Sequence, residues 1–185
     1  MSVQLKLLES INDFQKMEEL YNKSLSAYRP SPKFYYKRRD NEMVDLYNVV
    51  DGHEWVGFVY VVSSPCVAVI NLIAIDEKGR SKGYGSTVLD SLKELHQGKP
   101  IAVLIEAAKP GFADFEIQQK RKAFYERNGF VTHYYAGTKK KPLEMMIYGD
   151  SLSITAFTDL TKKFIGGLGG RFVARIQTRI LTKAE

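Results

Sequence analysis

The sequence has little cysteine and no long hydrophobic run, and each shortage excludes a class of protein. The single cysteine, Cys66, leaves no partner for an internal disulfide and no thiolate cluster for a metal. The longest apolar runs are about eight residues, far below the roughly 20 that a membrane-spanning helix needs. The start, MSVQLKLLES, lacks the basic segment and the apolar stretch of a secretory signal. We therefore expect a cytoplasmic protein with no membrane partner.

Histidine is scarce as well. His53, His96 and His133 lie far apart in the chain, and no two of them have the spacing of metal ligands. We expect no metal ion, and a surface or packing role for each histidine.

Positive charge is spread unevenly along the chain, whose formal net charge is +6. Residues 151–185 hold six basic and two acidic side chains, so four of the six net positive charges lie in this last segment. The remaining excess is too small to predict a core that binds nucleic acid.

The first half of the chain has the pattern of a strand, a helix and three further strands. A length of 185 residues with 44% hydrophobic side chains suffices for one sizeable core. Residues 3–9 form a predicted strand, and apolar residues recur at helical spacing from Phe14 to Tyr21. The runs MVDLYNVV and WVGFVYVV are predicted to pair as a hairpin, because Asp51-Gly52 suits the positive φ angles of a tight turn. A longer strand, CVAVINLIAI, follows.

The second half alternates helices with strands. The segment STVLDSLKELHQG is a predicted helix whose inward face holds Val88, Leu89, Leu92 and Leu95. The strand IAVLIEAA follows it. Residues 114–128 form another predicted helix, with inward side chains drawn from Phe115, Ile117, Ala123 and Phe124. Two strands, GFVTHYYAG and PLEMMIYG, close the pattern.

The stretch GRSKGYGST (79–87) lies between the strand CVAVINLIAI and the first of these helices. In such a loop successive backbone N–H groups point into one concavity, and the positive end of the following helix faces the same way. Two glycines allow close approach of a ligand, and Arg80 and Lys82 supply positive charge. The stretch lacks the spacing of a Walker A loop and of the dinucleotide-binding GxGxxG motif. Two interpretations stay open at this point, a phosphate site and a plain turn that caps a helix.

The segment IAIDEKGRSKGYGS resembles the acyl-coenzyme A loop of the GNAT family of acetyl-CoA-dependent N-acetyltransferases. The family pattern is Gln or Arg, two residues, Gly, one residue, then Gly or Ala, and it is met by Arg80, Gly83 and Gly85. A second family signature, an aromatic or leucine followed by tyrosine and then Gly-Phe, is matched by FYERNGF (124–130). With the order of elements, the resemblance covers about residues 3–149.

This resemblance implies an α/β (α+β) fold with a mixed, mostly antiparallel central sheet of six to seven strands flanked by helices. It implies an acyl-CoA N-acyltransferase domain over residues 1–150. Residues 151–185 have no counterpart in the family core and are a predicted C-terminal helical extension. It also implies acetyl-CoA as cosubstrate, with its pantetheine arm along the backbone of Ile73, Ala74 and Ile75. The expected contacts of the loop with the pyrophosphate come from Arg80, Ser81, Lys82, Gly83, Tyr84, Gly85 and Ser86.

Two residues of the predicted helix 114–128 matter for the chemistry that the resemblance implies. Tyr125 resembles the family's general acid, which protonates the departing thiolate. Gln118 stands where the family often has an asparagine that touches the cofactor arm, so the amide is kept and a methylene is added. The alternative for Tyr125 is an aromatic residue that packs in the core beside Phe124.

Glu106 is the one carboxylate inside the apolar run IAVLIEAA. If the strand turns it into a buried cleft, it is suited to accept a proton from the amine or to hold an ammonium group. If the alternation of the strand turns it the other way, it faces solvent.

The acceptor is expected to be a small-molecule or peptide amine, and the sequence does not select among amines. The segment PSPKFYYKRRDNEM (30–43) lies where the family places acceptor-binding elements, which makes Tyr35, Tyr36 and Arg38 candidates. A solvated basic surface is the alternative. The leading function is acetyl transfer to a primary amine by direct attack in a ternary complex. The alternative function is a non-catalytic acyl-CoA-binding or sensing module.

The tail segment FVARIQTRIL (172–181) is a predicted amphipathic helix, and four glycines in FIGGLGGRF precede it. We expect its apolar face to pack against the same chain or a second copy, as in a homodimer. Binding of its arginine stripe to an anionic surface, as in a basic binding protein, is the other interpretation.

Overall fold

The computed structural model describes residues 3–24, 30–138, 141–166 and 182–183. Its contacts divide the chain into two compact units. The first unit comprises Met1–Ser63 and Ile70–Gln97, and the second comprises Ser64–Val69 and Gly98–Glu185.

The first unit is built from antiparallel strands and three helices. Its strands are β1 Val3–Leu7, β2 Val44–Asp51, β3 Glu54–Ser64 and β4 Val67–Ile75, of which the last residue of β3 and the first three of β4 belong to the second unit. Its helices are α1 Ile11–Ser24, the short α2 Pro32–Tyr36 and α3 Tyr84–Leu95, with one 3-10 turn at Glu77–Gly79. Strand β2 pairs antiparallel with both β1 and β3.

Local sequence accounts for two features of this unit. Helix α1 buries the four apolar side chains that recur from Phe14 to Tyr21, as predicted, and the Ser10 hydroxyl accepts the N–H of Asp13 at 3.1 Å at its start. The predicted hairpin of β2 and β3 is confirmed, but its turn is Gly52-His53 and not Asp51-Gly52. Asp51 still pairs with Glu54, and of the two predicted turn positions Gly52 alone has a positive φ, of 62°.

The second unit contains four strands in the order β5-β7-β6-β8, each antiparallel to its neighbour. They are β5 Ile101–Glu106, β6 Val131–Thr138, β7 Lys141–Tyr148 and the two-residue β8 Thr182–Lys183. Helix α4 spans Phe115–Arg127 and helix α5 spans Ile154–Ile165. Its core includes Ile101, Val103, Ile105, Phe130, Met145, Met146 and Ile147.

The predicted fold class, α/β with mostly antiparallel strands flanked by helices, is confirmed. The structure has eight strands among its described residues, against the six to seven expected, because the tail contributes β8. Helix α5 is the described helix of the C-terminal extension, and the Ser153 hydroxyl caps it by accepting the N–H of Ala156 at 3.4 Å. The predicted tail helix and most of the glycine-rich segment before it lie outside the described residues. The division at residue 150 stays a prediction.

The inward faces of two helices differ in part from the predicted ones. In α3 the buried side chains are Tyr84, Val88, Leu89 and Leu92, while Leu95, the last helical residue, is exposed and His96 is buried instead. In α4 the buried residues are Gln118 and Tyr125, and Ile117 is exposed. The buried face of α4 is defined by Gln118 and Tyr125, which are seven residues apart. Ile117 precedes Gln118 by one residue, so it points about 100° away from that face.

Within the described ranges, no helix has both the length and the apolar character needed to cross a membrane.

Candidate active site

The glycine-rich loop joins β4 to α3 with two residues in the left-handed region. Ser81 has a φ of 61°, and Gly83, the residue before the first turn of α3, has a φ of 85°. The Asp76 carboxylate accepts the N–H of Lys78 at 3.0 Å and holds the 3-10 turn. A Cβ on Gly79 would lie 3.0 Å from the Tyr84 ring, so a larger residue here would require that ring to shift. The loop is thus fixed at both ends.

The start of α3 presents donors without acceptors. The first helical hydrogen bond runs from the Thr87 N–H to the Gly83 oxygen at 3.1 Å. The backbone N–H groups of Tyr84, Gly85 and Ser86 therefore have no acceptor among the described residues. A helix start of this kind binds anions, because its N–H groups and its dipole both favour negative charge. Tyr84 and Gly85, assigned to the loop from sequence, belong to this first turn.

The side chains of the loop differ in exposure, with Arg80 and Lys82 open to solvent and Tyr84 buried. Arg80 donates to the Ser24 hydroxyl at 3.1 Å and to the Ile75 oxygen at 3.4 Å, and its side chain remains half exposed. Lys82 is exposed. Tyr84 is buried, and its hydroxyl donates to Asp51 Oδ2 at 2.8 Å, a hydrogen bond that raises the pKa of Tyr84. Tyr84 therefore offers a ligand its backbone N–H and not its phenol.

A cavity of about 310 Å³ adjoins the loop within the first unit. Helix α1, the start of β3 and the loop line it, with four lysines and three carboxylates on its wall. Its lining residues are Lys16, Glu19, Leu20, Lys23, Glu54, Trp55, Val56, Asp76, Lys78, Gly79, Lys82 and Tyr84. The loop is therefore accessible from a concave surface that carries positive charge.

Strand β4 comes unusually close to β3 before the loop. A Cβ on Gly57 would lie 2.2 Å from the Ala74 oxygen, so only glycine permits this approach. Ala74 is buried, Ile73 and Ile75 are half-buried, and the Asp76 N–H donates to the Val56 oxygen at 2.8 Å. Gly57 was missed in the sequence, although a glycine inside the strand WVGFVYVV is the signal for such an approach.

In the second unit, Tyr125 lies buried on α4 among aromatic rings. Its ring centroid is 5.1 Å from that of Phe124 and 5.4 Å from that of Phe130. The Phe130 N–H donates to the Tyr125 oxygen at 3.0 Å, which fixes the end of the helix. The motif FYERNGF therefore forms a rigid corner that holds the tyrosine ring.

Gln118 shares the buried face of α4 with Tyr125, two turns away. It is 7% exposed, and its Oε1 has no hydrogen-bond partner among the described residues. A buried carbonyl oxygen without a donor is unusual in a folded protein, which makes this atom a candidate ligand contact.

Glu106 is not buried, whereas the cleft orientation considered in the sequence analysis would bury it. It is the last residue of β5, its side chain is 43% exposed, and the Arg121 Nη1 lies 2.6 Å from its Oε2. The alternation of β5 buries Val103 and Ile105 and leaves Glu106 half-covered on the other side. Arg121 was missed, because nothing in a local pattern pairs a helix residue with a strand residue 15 positions earlier.

A second carboxylate of this unit, Glu144 on β7, is buried and fully engaged. Lys122 lies 2.8 Å from its Oε2 and the Thr132 hydroxyl donates to the same oxygen at 3.0 Å. Burial lowers the pKa of Lys122, but the hydrogen bond and charge of Glu144 outweigh it, so the net shift is upward. The ion pair fastens α4 to the strands. The glutamate inside PLEMMIYG was the sequence signal for it.

The aromatic candidates of segment 30–43 are largely packed. Tyr35 is buried, with its ring centroid 4.9 Å from that of Tyr60. The Tyr36 ring centroid lies 4.3 Å from that of Phe14, and the Arg38 guanidinium lies 3.8 Å from the centre of the Phe34 ring. Tyr35 is therefore a core residue of the first unit, while Tyr36 and Arg38 remain partly exposed.

The predicted site residues fall in two groups. Ile73, Ala74, Ile75 and the seven loop residues 80–86 lie together in the first unit, and Glu106, Gln118 and Tyr125 lie in the second. Among the described residues there is no group of three or more histidine, cysteine or acidic side chains placed to hold a metal ion.

Comparison with known proteins agrees with this geometry. Residues 44–132 match the family model described as the acetyltransferase (GNAT) domain. The matched segment includes the loop, β5 and all of α4. Over this segment the chain is therefore similar to the GNAT acetyltransferases.

Solved structures similar to the model share its fold. A GNAT-family acetyltransferase from Bacteroides thetaiotaomicron superposes with a TM-score of 0.67 at 21% identity, over 88% of this chain and 95% of that one. The ribosomal-protein-S18-alanine N-acetyltransferase from Escherichia coli gives 0.62 at 17%, over 82% and 96%. An aminoglycoside 6'-N-acetyltransferase complexed with coenzyme A gives 0.61 at 14%, over 80% and 96%. No curated protein sequence matches the chain.

Proposed function

We propose that this protein is an N-acetyltransferase that moves an acetyl group from acetyl-CoA to a primary amine by direct attack in a ternary complex. The observation that carries the proposal is the start of α3, where three backbone N–H groups have no acceptor in the described part of the chain and follow Gly83, which has a left-handed backbone. This array suits a pyrophosphate, and Arg80 and Lys82 add positive charge beside it. The aminoglycoside N-acetyltransferase of similar fold has coenzyme A bound.

Further contacts with acetyl-CoA are proposed for each unit by itself. In the first unit, the backbone of Ile73–Ile75 pairs with amides of the pantetheine arm in this proposal, since the arm is extended like a strand. In the second unit, the Gln118 Oε1, buried and without a donor among the described residues, accepts an amide N–H of the cofactor. These assignments use peptide-like hydrogen bonds, which fit the chemistry of the arm.

The transfer needs a neutral amine and a proton for the leaving thiolate. The amine nitrogen bonds to the thioester carbonyl carbon, and the carbon–sulfur bond then breaks. The ammonium proton goes to the Glu106 carboxylate or to water, and the Tyr125 hydroxyl gives a proton to the thiolate. Tyr125 is held in one place by Phe124 and Phe130, which suits a positioned donor.

The Glu106–Arg121 ion pair favours a second candidate function, a non-catalytic module that binds acyl-CoA. The Arg121 Nη1 lies 2.6 Å from the Glu106 Oε2, so this oxygen is already engaged and is not open to an incoming amine. The two functions separate in one assay, because only an enzyme releases the coenzyme A thiol in the presence of an amine. We expect thiol release that depends on both the protein and the amine; acetyl-CoA binding without release favours the module.

A further inference from the structure

The ion pair between Arg121 and Glu106 is open to solvent and only partly satisfied. The side chains are 35% and 43% exposed, and one contact joins Nη1 to Oε2 at 2.6 Å. A guanidinium has five N–H donors and a carboxylate has two oxygens. Among the described residues, neither side chain makes another hydrogen bond or ion pair. Both charges therefore retain capacity for a bound molecule.

The face of α4 that carries Arg121 has a second feature that points to a ligand. Gln118, Arg121 and Tyr125 follow one another at spacings of three and four, so they share one face of the helix. The Gln118 Oε1 on this face is buried without a donor among the described residues. This oxygen is assigned above to the pantetheine arm of acetyl-CoA, so the half-open ion pair lies on the helix face that contacts the cofactor in the proposed function, one turn from Gln118.

We propose that Arg121 and Glu106 together recognise the acceptor, and that the acceptor is an amine that also carries a carboxylate, such as an α-amino acid. The inference rests on the N-acetyltransferase function proposed above and names its substrate class. The ammonium of the acceptor binds Glu106 while its carboxylate binds Arg121. When the acceptor binds, Glu106 and Arg121 give up their contact with each other and each pairs with the opposite charge of the acceptor, so no charge is left unpaired. Arginine also binds a carboxylate through two parallel hydrogen bonds, which fixes its orientation.

The same pair disfavours acceptors of other charge. A diamine or polyamine offers Glu106 a partner but leaves Arg121 facing a second ammonium. An amine with no carboxylate binds Glu106 in place of Arg121 and leaves the guanidinium without an ion-pair partner. Specificity arises from these unpaired or repelling charges as much as from the favourable contacts.

The test compares matched acceptors that differ by one carboxylate. Lysine is paired with 1,5-diaminopentane, and phenylalanine with 2-phenylethylamine. Binding is measured by ligand-observed NMR with coenzyme A present, and turnover by thiol release from acetyl-CoA. For the wild-type protein we expect the carboxylated member to bind about tenfold more tightly and to have a higher kcat/KM by the same factor. In Arg121→Gln this ratio falls to about one, and in Arg121→Lys it is restored in part.

The control is Lys120→Gln, which removes one positive charge from an exposed position of the same helix and should leave the ratio unchanged. If Arg121→Gln folds poorly by circular dichroism, the double variant Glu106→Gln with Arg121→Met removes both charges together and should also lose the preference. Equal binding of both members by the wild-type protein, or a preference that Arg121→Gln retains, overturns the inference. Binding that depends on Arg121 without turnover leaves the recognition standing and refutes the transferase function instead.

Discussion

Replacing Gly83 by aspartate tests the loop most sharply, because the chain contains a matched glycine elsewhere. Gly83 has a φ of 85° and Gly98 a φ of 81°, and a Cβ at either position meets no atom within 4 Å. Gly98 lies two residues beyond His96, the residue that ends α3. A left-handed residue other than glycine costs about 1 kcal/mol at both positions. The backbone strain is therefore matched, and only Gly83→Asp places a negative charge in the loop.

The expected loss of coenzyme A affinity follows from this charge. Two unit charges about 5 Å apart repel by about 1–3 kcal/mol for an effective dielectric constant between 80 and 20. Gly83 is exposed, so the lower end of this range applies and the affinity should fall about fivefold. Gly83→Ala, which adds the Cβ without the charge, should lose less. Gly98→Asp should bind coenzyme A as the wild type does.

Isothermal titration with coenzyme A at two salt concentrations measures the effect. The loss in Gly83→Asp should shrink as salt rises, because the repulsion is screened. The unfolding temperature should fall less in Gly83→Asp than in Gly98→Asp, because the start of α3 favours a negative charge and its end does not. Unchanged affinity in a folded Gly83→Asp, or an equal loss in Gly98→Asp, refutes the assignment of the loop to the pyrophosphate.

Three further predictions concern the rest of the chain. Tyr125→Phe should lower kcat by about 10- to 1000-fold with coenzyme A affinity unchanged. The control Tyr134→Phe, which loses a hydrogen bond to the Leu152 oxygen, should keep its kcat. Wild-type turnover in Tyr125→Phe excludes Tyr125 as the acid. Lys122→Met should lower the free energy of unfolding by about 2–4 kcal/mol, because it leaves Glu144, which is 5% exposed, without its partner. Glu144→Gln should lower it by about 1–2 kcal/mol, because the lysine that is left unpaired is 28% exposed. Chemical denaturation measures both, and the reverse order contradicts the account. The raised pKa of Lys122 means that this contribution is present below about pH 10.5 and is lost as the pH rises through the folded-state pKa. Deleting residues 166–185 should expose the tail's packing surface and change stability or mass by light scattering; an equally stable, unchanged monomer shifts the interpretation to an external anionic partner.

Features encoded in a short stretch of chain were predictable. Helix α1, the hairpin of β2 and β3 and the loop before α3 each depend on residues close in sequence, whose spacing fixes the local backbone. The family motif FYERNGF likewise marked Tyr125, because a helix end and a glycine stop are local signals.

Features that depend on pairing between distant segments were not predictable. Neither the strand nor the helix pattern indicates that Arg121 meets Glu106 or that Lys122 meets Glu144. The sequence left two orientations open for Glu106 at the end of β5, toward a cleft or toward solvent, because its exposure depends on which side of the strand is covered. Likewise, Leu95 and Ile117 are apolar but exposed. Adjacent positions of a helix point about 100° apart, so a face that is predicted one position away from the true one includes an exposed side chain.

The central claim is catalysis, and one measurement tests it most directly. The wild-type protein and Tyr125→Phe are each incubated with acetyl-CoA and a panel of primary amines that includes amino acids, diamines and a peptide. Free thiol is followed over time, and the acetylated product is identified by mass spectrometry. We predict amine-dependent thiol release by the wild type, with an N-acetylated product and a rate lowered at least tenfold in Tyr125→Phe. Tight binding of acetyl-CoA with no amine-dependent release across the panel contradicts the account and leaves a binding module.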